Sequence, residues 1–176
     1  LKKSIDLNFN EMLNPNSIKS SIEMFPDIDI KINSYGKKIT IKPKDKWPQD
    51  VDFKIKIKRG ISDYKGNIIK KGQLLSYSTS SNLSRGFIKG KLFNADSLRI
   101  YTVGLFEIKD NRLNEYASIE ADSENNFVFN NVKNGKFIII SLMHDIDDIY
   151  KDIRVYPYGL SSTKIIVNDK NNYIDN

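Results

Sequence analysis

A turn-rich stretch decides the fold of the first half of the chain, and it reads Arg59-Gly60-Ile61-Ser62-Asp63-Tyr64-Lys65-Gly66-Asn67. The residues before it alternate between apolar and polar side chains: Val51, Asp52, Phe53, Lys54, Ile55, Lys56, Ile57 and Lys58. A period of two is typical of a half-buried strand, because successive side chains point to opposite faces of a sheet. A second strand is predicted over residues 74–79. The two strands and their turn predict part of a β-sandwich.

The turn itself carries residues that suit a tight bend. Asp63 is predicted to cap the backbone, Gly66 to supply a positive φ and Asn67 to tolerate one. The alternative is a cation site at Asp63 and Asn67, but two oxygen ligands fall short of the about six to eight that Ca²⁺ takes. We therefore predict a structural turn. Asn134 and Gly135, which lie between two later strands, are predicted to form another.

Alternation extends in both directions from this stretch. Strands are predicted over residues 4–9, 27–32 and 37–41, then over 86–93, 98–108, 116–121, 126–129, 136–142 and 163–167. A brief helix over residues 17–21 stays open and would not change the class. In the second half the connections are short and contain turn-forming residues, and no helical period is present. The predicted fold class is therefore all-β, with two tandem antiparallel β-sandwiches.

Charge is distributed unevenly along the 176 residues. The chain has a net charge of +6, of which residues 1–82 carry +7 and the remainder −1. The polar run Ser78-Thr79-Ser80-Ser81-Asn82 lies at the same point. A shift in composition at a polar run indicates a domain boundary. We predict domains at residues 1–82 and 83–168, followed by a polar tail over residues 169–176.

Several functional classes are excluded by what the sequence lacks. The chain has no cysteine, which excludes disulfides, thiolate metal sites and cysteine nucleophiles. No run of about 18 apolar residues is present, so no membrane span is expected. Nucleophile-elbow, dinucleotide-binding and phosphate-loop motifs are missing as well. Paired carboxylates stay open, because their separation depends on the folded structure. We expect no enzyme activity, no catalytic residue and no cofactor.

One cluster contains metal-ligating residue types, namely His144, Asp145, Asp147 and Asp148. A calcium loop beginning at Asp145 would need glycine at its sixth position and glutamate at its twelfth, and both positions are tyrosine. A closed zinc site would need three carboxylates beside this single histidine. The four residues are therefore weak candidates, and we expect a solvated loop without a metal.

A ladder of lysines lies on the polar side of the strand over residues 51–58, at Lys54, Lys56 and Lys58. One interpretation is a basic face for an acidic partner such as a polyanionic glycan, lipopolysaccharide phosphates or nucleic acid. The other is a solvated sheet face whose charges discourage edge-to-edge pairing. No aromatic residues lie between the lysines on their face of the strand, as binding of a single nucleic-acid strand requires. We favour the solvated face and expect no nucleic-acid partner.

Three segments of the first half follow one another in a recognisable order. They are Ser4-Ile5-Asp6-Leu7-Asn8-Phe9-Asn10-Glu11-Met12-Leu13-Asn14-Pro15-Asn16-Ser17-Ile18, Lys38-Ile39-Thr40-Ile41-Lys42-Pro43, and Asp52-Phe53-Lys54-Ile55 through the turn to Asn67. Residues 3–80 thereby resemble the bacterial Ig-like domain family typified by S-layer proteins. The departures are a missing proline near Met12 and phenylalanine instead of tyrosine at Phe53. The resemblance implies an Ig-like sandwich at a bacterial cell envelope.

The second half contains the segments Gly86-Phe87-Ile88-Lys89-Gly90-Lys91-Leu92, Val103-Gly104-Leu105-Phe106 and Asn126-Phe127-Val128-Phe129. Residues 84–145 are similar to the carboxypeptidase-regulatory-like, transthyretin-type β-sandwich. Asn125 or Asn126 replaces the glycine of that family's pattern, and Phe137 replaces a tyrosine. Such modules are scaffolds without peptidase chemistry, so the resemblance implies a second non-catalytic sandwich.

Together these resemblances imply a scaffold or accessory subunit of a bacterial cell envelope, periplasmic or on the cell surface, whose export signal has been removed. The expected partner is another envelope or outer-membrane protein. The alternative is a surface module for carbohydrate binding or adhesion, which would use aromatic platforms. The candidates on loops are Trp47, Tyr35, Tyr64, Tyr156 and Tyr158. A packed or half-buried rim is the other interpretation of these residues, and we favour it.

Overall fold

The computed structural model describes residues 4–96, 98–143, 157–171 and 173–175. The chain divides into two compact units, Leu1–Leu83 (unit 1) and Ser84–Asn176 (unit 2). Strands dominate both, and the helices of the described residues are two single 3₁₀ turns, Pro15–Ser17 and Lys19–Ser21. The predicted all-β class is therefore confirmed. None of the helices in the described part of the chain has the length and hydrophobicity needed to span a bilayer.

Unit 1 consists of two three-stranded antiparallel sheets. Its strands are β1 (Ile5–Asn8), β2 (Ile22–Phe25), β3 (Ile30–Tyr35), β4 (Lys38–Pro43), β5 (Asp52–Ile57) and β6 (Gln73–Ser78). One sheet has the order β1-β4-β3 and the other has the order β2-β5-β6. The long alternating strand of the sequence is thus the central strand of its sheet, hydrogen-bonded on both sides.

The core of unit 1 is built from the apolar side chains that alternate along these strands. Ile39 and Ile41 of β4 and Phe53 and Ile55 of β5 have no measurable exposure and belong to one cluster. Ile61 of the turn after β5 is buried in the same cluster. Each such aliphatic or aromatic side chain contributes roughly 1.5–3 kcal/mol through burial. The turn is therefore attached to the core by its own apolar residue.

Unit 2 also contains two sheets. Its strands are β7 (Gly86–Lys91), β8 (Thr102–Lys109), β9 (Arg112–Glu120), β10 (Asn126–Val132), β11 (Gly135–Leu142), β12 (Tyr158–Leu160), β13 (Ile165–Val167) and β14 (Tyr173–Asp175). One sheet has the order β10-β7-β14. The other has the order β12-β11-β8-β9, with β13 paired to the other end of β11. The buried residues of unit 2 include Phe127 and Phe129 of β10 and Phe137 of β11.

Several elements of unit 2 differ from the sequence predictions: β12 was not predicted, β8 begins at Thr102 instead of residue 98, and β14 and β9 differ as follows. Residues 173–175, expected to be part of a polar tail, instead form β14, which pairs in parallel with β7. Strand β9 begins at Arg112 rather than near residue 116, because Asp110 and Asn111 close a two-residue hairpin with β8. Both turn residues have positive φ, 50° and 57°. A hairpin of this kind needs left-handed backbone at both positions, which Asp and Asn tolerate.

Candidate functional site

The Asp63 carboxylate is occupied by its own turn. Its Oδ1 accepts hydrogen bonds from the backbone N–H groups of Lys65 and Asn67, both at 2.8 Å, and its Oδ2 accepts one from the Asn67 side-chain amide at 2.7 Å. Gly66 has a φ of +86°. Hydrogen bonds to the carboxylate hold the pKa of Asp63 below its usual value. The bond from the Asn67 side-chain amide has the largest effect, and the bonds from backbone N–H groups add to it. This geometry is that of a structural turn.

Metal binding at this turn would compete with those hydrogen bonds. Both oxygens of Asp63 already accept donors, and a cation would have to replace them. Among the residues that the structure describes, no group of three or more His, Asp or Glu side chains is placed to hold a metal. The weak candidates His144, Asp145, Asp147 and Asp148 lie outside the described residues.

The other predicted turn has a different form from that expected. Gly135 is the first residue of β11, and the left-handed residue nearby is Asn131, with a φ of 56°. Asn131 lies at an irregularity in the pairing of β10 with β7. The Asn134 side-chain amide donates to the Asp169 carboxylate at 2.9 Å, which ties this connection to the loop before β14.

The expected solvated lysine face is not present. Lys54 and Lys56 are only 1% and 3% exposed, so the second face of β5 is buried as well as the first. Lys54 Nζ donates to Ser76 Oγ at 2.9 Å, and burial lowers the pKa of Lys54 to about 8. The alternation of the sequence correctly assigns the lysines to one side of the strand, but it does not show what covers that side.

Glu23 compensates two of these lysines. The carboxylate of Glu23 on β2 lies 3.3 Å from Lys56 Nζ and also pairs with Lys58, whose side chain is 20% exposed. A buried charge that has a carboxylate partner is a structural feature, because removing either partner leaves the other uncompensated. Because Lys54 and Lys56 are buried, they do not form an exposed row of charges that a polyanion or a nucleic acid could bind.

The five aromatic candidates for a glycan platform are not brought to one place. Trp47 is packed against Phe53, with ring centroids 5.3 Å apart, and its indole nitrogen is buried without a hydrogen-bond partner among the described residues. Tyr35 and Tyr64 are strongly exposed in unit 1, and Tyr158 is exposed in unit 2. Tyr156 lies outside the described residues.

Tyr35, the last residue of β3, and Tyr64, in the turn after β5, belong to segments that meet at one end of unit 1. Leu13 N donates to Gly36 O at 2.9 Å, and Asn14 N donates to Ser62 O at 2.9 Å, so the segment after β1 connects the β3–β4 turn to the turn after β5. The exposed large side chains on these linked loops form what we call the tip of unit 1: Met12, Tyr35, Tyr64 and Ile68. The tip is an apolar surface on a hydrogen-bonded frame.

A cleft of about 500 Å³ opens between the two sheets of unit 2. Its floor includes the buried side chains of Phe127 and Ile139, and its rim includes Phe93, which is 82% exposed, and Tyr158. Sequence reasoning missed Phe93 because it was assigned to the preceding strand, whereas β7 ends at Lys91. The signal that could have identified it is an aromatic residue followed directly by the turn-forming Asn94, whose φ is 56°.

Residues 1–79 match the sequence profile of a family described as the bacterial Ig-like domain. The resemblance of the first unit is thereby confirmed, while that of residues 84–145 to the transthyretin-type sandwich stays a prediction. A comparison with curated proteins found no match. Among solved structures, the chain is similar to the major pilin subunit of Bacillus cereus, with 10% identity and a TM-score of 0.30. The similarity covers 98% of this chain and 57% of the pilin chain, and at this level it carries no information on function.

Proposed function

We propose that this chain is a non-catalytic module of a bacterial cell envelope that binds another envelope protein. The match of residues 1–79 to the bacterial Ig-like domain supports a bacterial surface or structural role. The groups that the sequence offered for chemistry are engaged by the fold: Asp63 caps its turn, and Lys54 and Lys56 are buried. These groups therefore serve stability.

The tip of unit 1 is the observation that carries the proposal. Tyr35 is 91% exposed and Tyr64 is 68% exposed, although tyrosine rings gain free energy by burial. Aromatic residues and methionine are enriched at protein interfaces, and the Met12 side chain lies beside Gly36, the residue that follows Tyr35. Because the backbone of the tip is fixed by hydrogen bonds, a partner would bind it without a large cost of ordering the loops.

The test is affinity purification of the tagged chain from a mild-detergent extract of its native envelope, followed by mass spectrometry. We expect an envelope protein at near-equal stoichiometry with the wild type, and its loss when Tyr35→Ser and Tyr64→Ser are combined. Leu113→Ser on β9 is the matched control, because Leu113 is also an exposed apolar residue. Recovery of the chain alone, or equal recovery with the tip variant, would contradict the proposal.

The same variants examine carbohydrate binding, which Tyr35 and Tyr64 also favour because they lie exposed at one tip. A glycan array with the wild type and the tip variant provides the comparison. Glycan binding that requires both tyrosines, together with no recovered protein partner, would replace the protein partner by a surface glycan. Trp47 is not part of that site, because it packs against Phe53.

A further inference from the structure

We infer that the cleft of unit 2 and the edge of β12 that no described strand pairs with together form a binding site for an extended peptide segment of another protein, with a tyrosine side chain as its anchor. This inference does not depend on the role of the tip of unit 1. It is based on three features of the described residues: open backbone groups, an unpartnered hydroxyl and a charged rim.

The first feature is the strand edge. Strand β12 is the last in its sheet, and no described strand pairs with its other side. Ser161 N donates to Ile139 O at 3.0 Å, so the pair Ser161–Ile139 is hydrogen-bonded. In an antiparallel ladder hydrogen-bonded and non-hydrogen-bonded pairs alternate. The N–H and C=O groups of Leu160 and Tyr158, opposite Ile140 and Leu142, therefore point away from β11 toward the open side.

An added strand would place one side chain into the cleft. Gly159 lies between these two residues and pairs with Ser141, whose side chain lines the cleft. Directly opposed residues project to the same face of a sheet, so the peptide residue opposite Gly159 projects toward the cleft. A Cβ atom on Gly159 would lie 2.6 Å from Ser141 Oγ. Glycine here leaves the entry to the cleft unobstructed.

The second feature identifies the anchor. Ser141 is more than nine-tenths buried, and its hydroxyl makes no hydrogen bond with any described residue. The cleft floor beneath it includes Phe127 and Ile139, which are apolar. A tyrosine side chain supplies a ring for that floor and a hydroxyl for Ser141. Pockets that select one side chain beside a paired strand edge are the usual form of recognition by strand addition.

The third feature concerns charge. Lys91 lines the cleft, is exposed and forms no ion pair with any described residue. A positive group at the rim complements an acidic residue in the bound segment. The partner chemistry is therefore an extended segment with an aromatic anchor and an acidic neighbour.

The experiment measures fluorescence anisotropy of labelled nine-residue peptides with the full chain. The probe alternates threonine and valine around a central tyrosine and contains one glutamate. Methylation of the amide nitrogens on either side of the tyrosine removes donors to Leu160 and Tyr158, whereas methylation of the tyrosine nitrogen removes a donor that points away. We expect affinity to fall about tenfold in the first case and to be retained in the second.

Variants of the protein test the same contacts by changing the protein instead of the peptide. Leu160→Pro removes the outward donor without removing a bond to β11, and it should weaken binding about tenfold, whereas Leu160→Thr should not. Ser141→Ala should abolish the preference for tyrosine over phenylalanine at the centre of the peptide. Lys91→Glu should weaken binding of the acidic peptide, and Lys136→Glu is its control.

Thermal unfolding of each variant establishes that it is folded, and the methylated peptides test the same bonds without altering the protein. Equal affinity for all three peptides, or no binding of the unmethylated peptide to the wild type, would overturn the inference. Because no envelope extract is used, failure here leaves the proposed role of unit 1 unaffected. Loss of the envelope partner with the tip variant but not with Leu160→Pro would likewise separate the two sites.

Discussion

At the residue scale, the fold favours the charged form of one side chain, Asp63, and disfavours the charged form of another, Lys54. Asp63 is half-buried, and its carboxylate accepts three hydrogen bonds. Lys54 is buried, and its ammonium loses hydration that its interactions in the fold, the hydrogen bond to Ser76 Oγ among them, do not fully replace. Both pKa values fall, because the ionised form of Asp63 is favoured and the ionised form of Lys54 is disfavoured.

The turn after β5 should lose stability when Asp63 is neutralised. Asp63→Ala removes all three hydrogen bonds, while Asp63→Asn retains an oxygen for the backbone donors, so we expect the order wild type, Asn, Ala in the free energy of unfolding. The folded pKa is below the unfolded value of 3.8, so the advantage of wild type is complete above pH 3.8 and is lost as the pH falls through the folded pKa. Urea denaturation at neutral and acidic pH measures it. A constant difference at all pH values would contradict the charge-based explanation.

Lys54 should give a stability change at alkaline pH. Between pH 8 and pH 10.5 the unfolded chain binds a proton that folded Lys54 has lost, so stability rises with pH in that window. Relative to Lys54→Met, the free energy of unfolding of the wild type should rise by up to about 3 kcal/mol across this window and change little below it. Denaturation of both proteins from pH 7 to above pH 10.5 provides the measurement. Parallel curves for the two proteins would show that Lys54 is not the titrating group.

At the element scale, β5 should be the most sensitive strand of unit 1. Phe53 is fully buried and contacts Trp47, so Phe53→Ala leaves a cavity and should cost about 3–5 kcal/mol. Phe53→Leu should cost less because it retains more volume. Denaturation followed by the fluorescence of Trp47, the only tryptophan, reports on this contact. Equal stability of Phe53→Ala and wild type would mean that the core is assigned incorrectly.

The β8–β9 hairpin offers a stabilising change. Asn111 has a φ of 57° at the second position of the two-residue turn, where glycine is preferred. Asn111→Gly should raise the free energy of unfolding by about 0.5–1 kcal/mol, whereas Asn111→Val should lower it by about 1 kcal/mol or more. Thermal denaturation distinguishes the two. A gain with valine would be inconsistent with the left-handed turn.

Local alternation was enough to predict most strands but not their surroundings. A period of two assigns Phe53 and Lys54 to opposite faces, yet what covers each face depends on distant parts of the chain. Strand β14 was missed because Tyr173–Asp175 is too short for a period and is defined by its pairing with β7. Strand β9 was started too late because Asp110-Asn111 lacks the glycine that marks such turns. The cleft of unit 2 could not be predicted, since β7, β10, β11 and β12 meet only in the folded unit.

At the scale of the whole molecule, hydrogen exchange should follow the position of each strand in its sheet. The central strands β4, β5, β7, β8 and β11 pair on both sides, whereas β12 and β14 are three-residue strands at the edges of the described sheets. Stability to local opening is lowest where pairing and burial are least. Deuterium uptake measured by mass spectrometry should therefore be slowest in peptides covering the central strands and fastest at β12 and β14. Uniform uptake across unit 2 would contradict the strand order described.

The parallel pairing of β14 with β7 has a mechanical consequence. The start of β7 and the end of β14 lie at opposite ends of the pair, so a force pulling Gly86 and Asp175 apart acts along both strands. The bonds between them then carry the load together in shear, instead of opening one by one as in a pulled hairpin. The Lys89–Asp175 ion pair and the stacked rings of Phe87 and Tyr173 cross the same seam. The last described strand of unit 2 is thus bonded to the first strand in the parallel orientation, in which a pull along the strands loads all of these bonds at once.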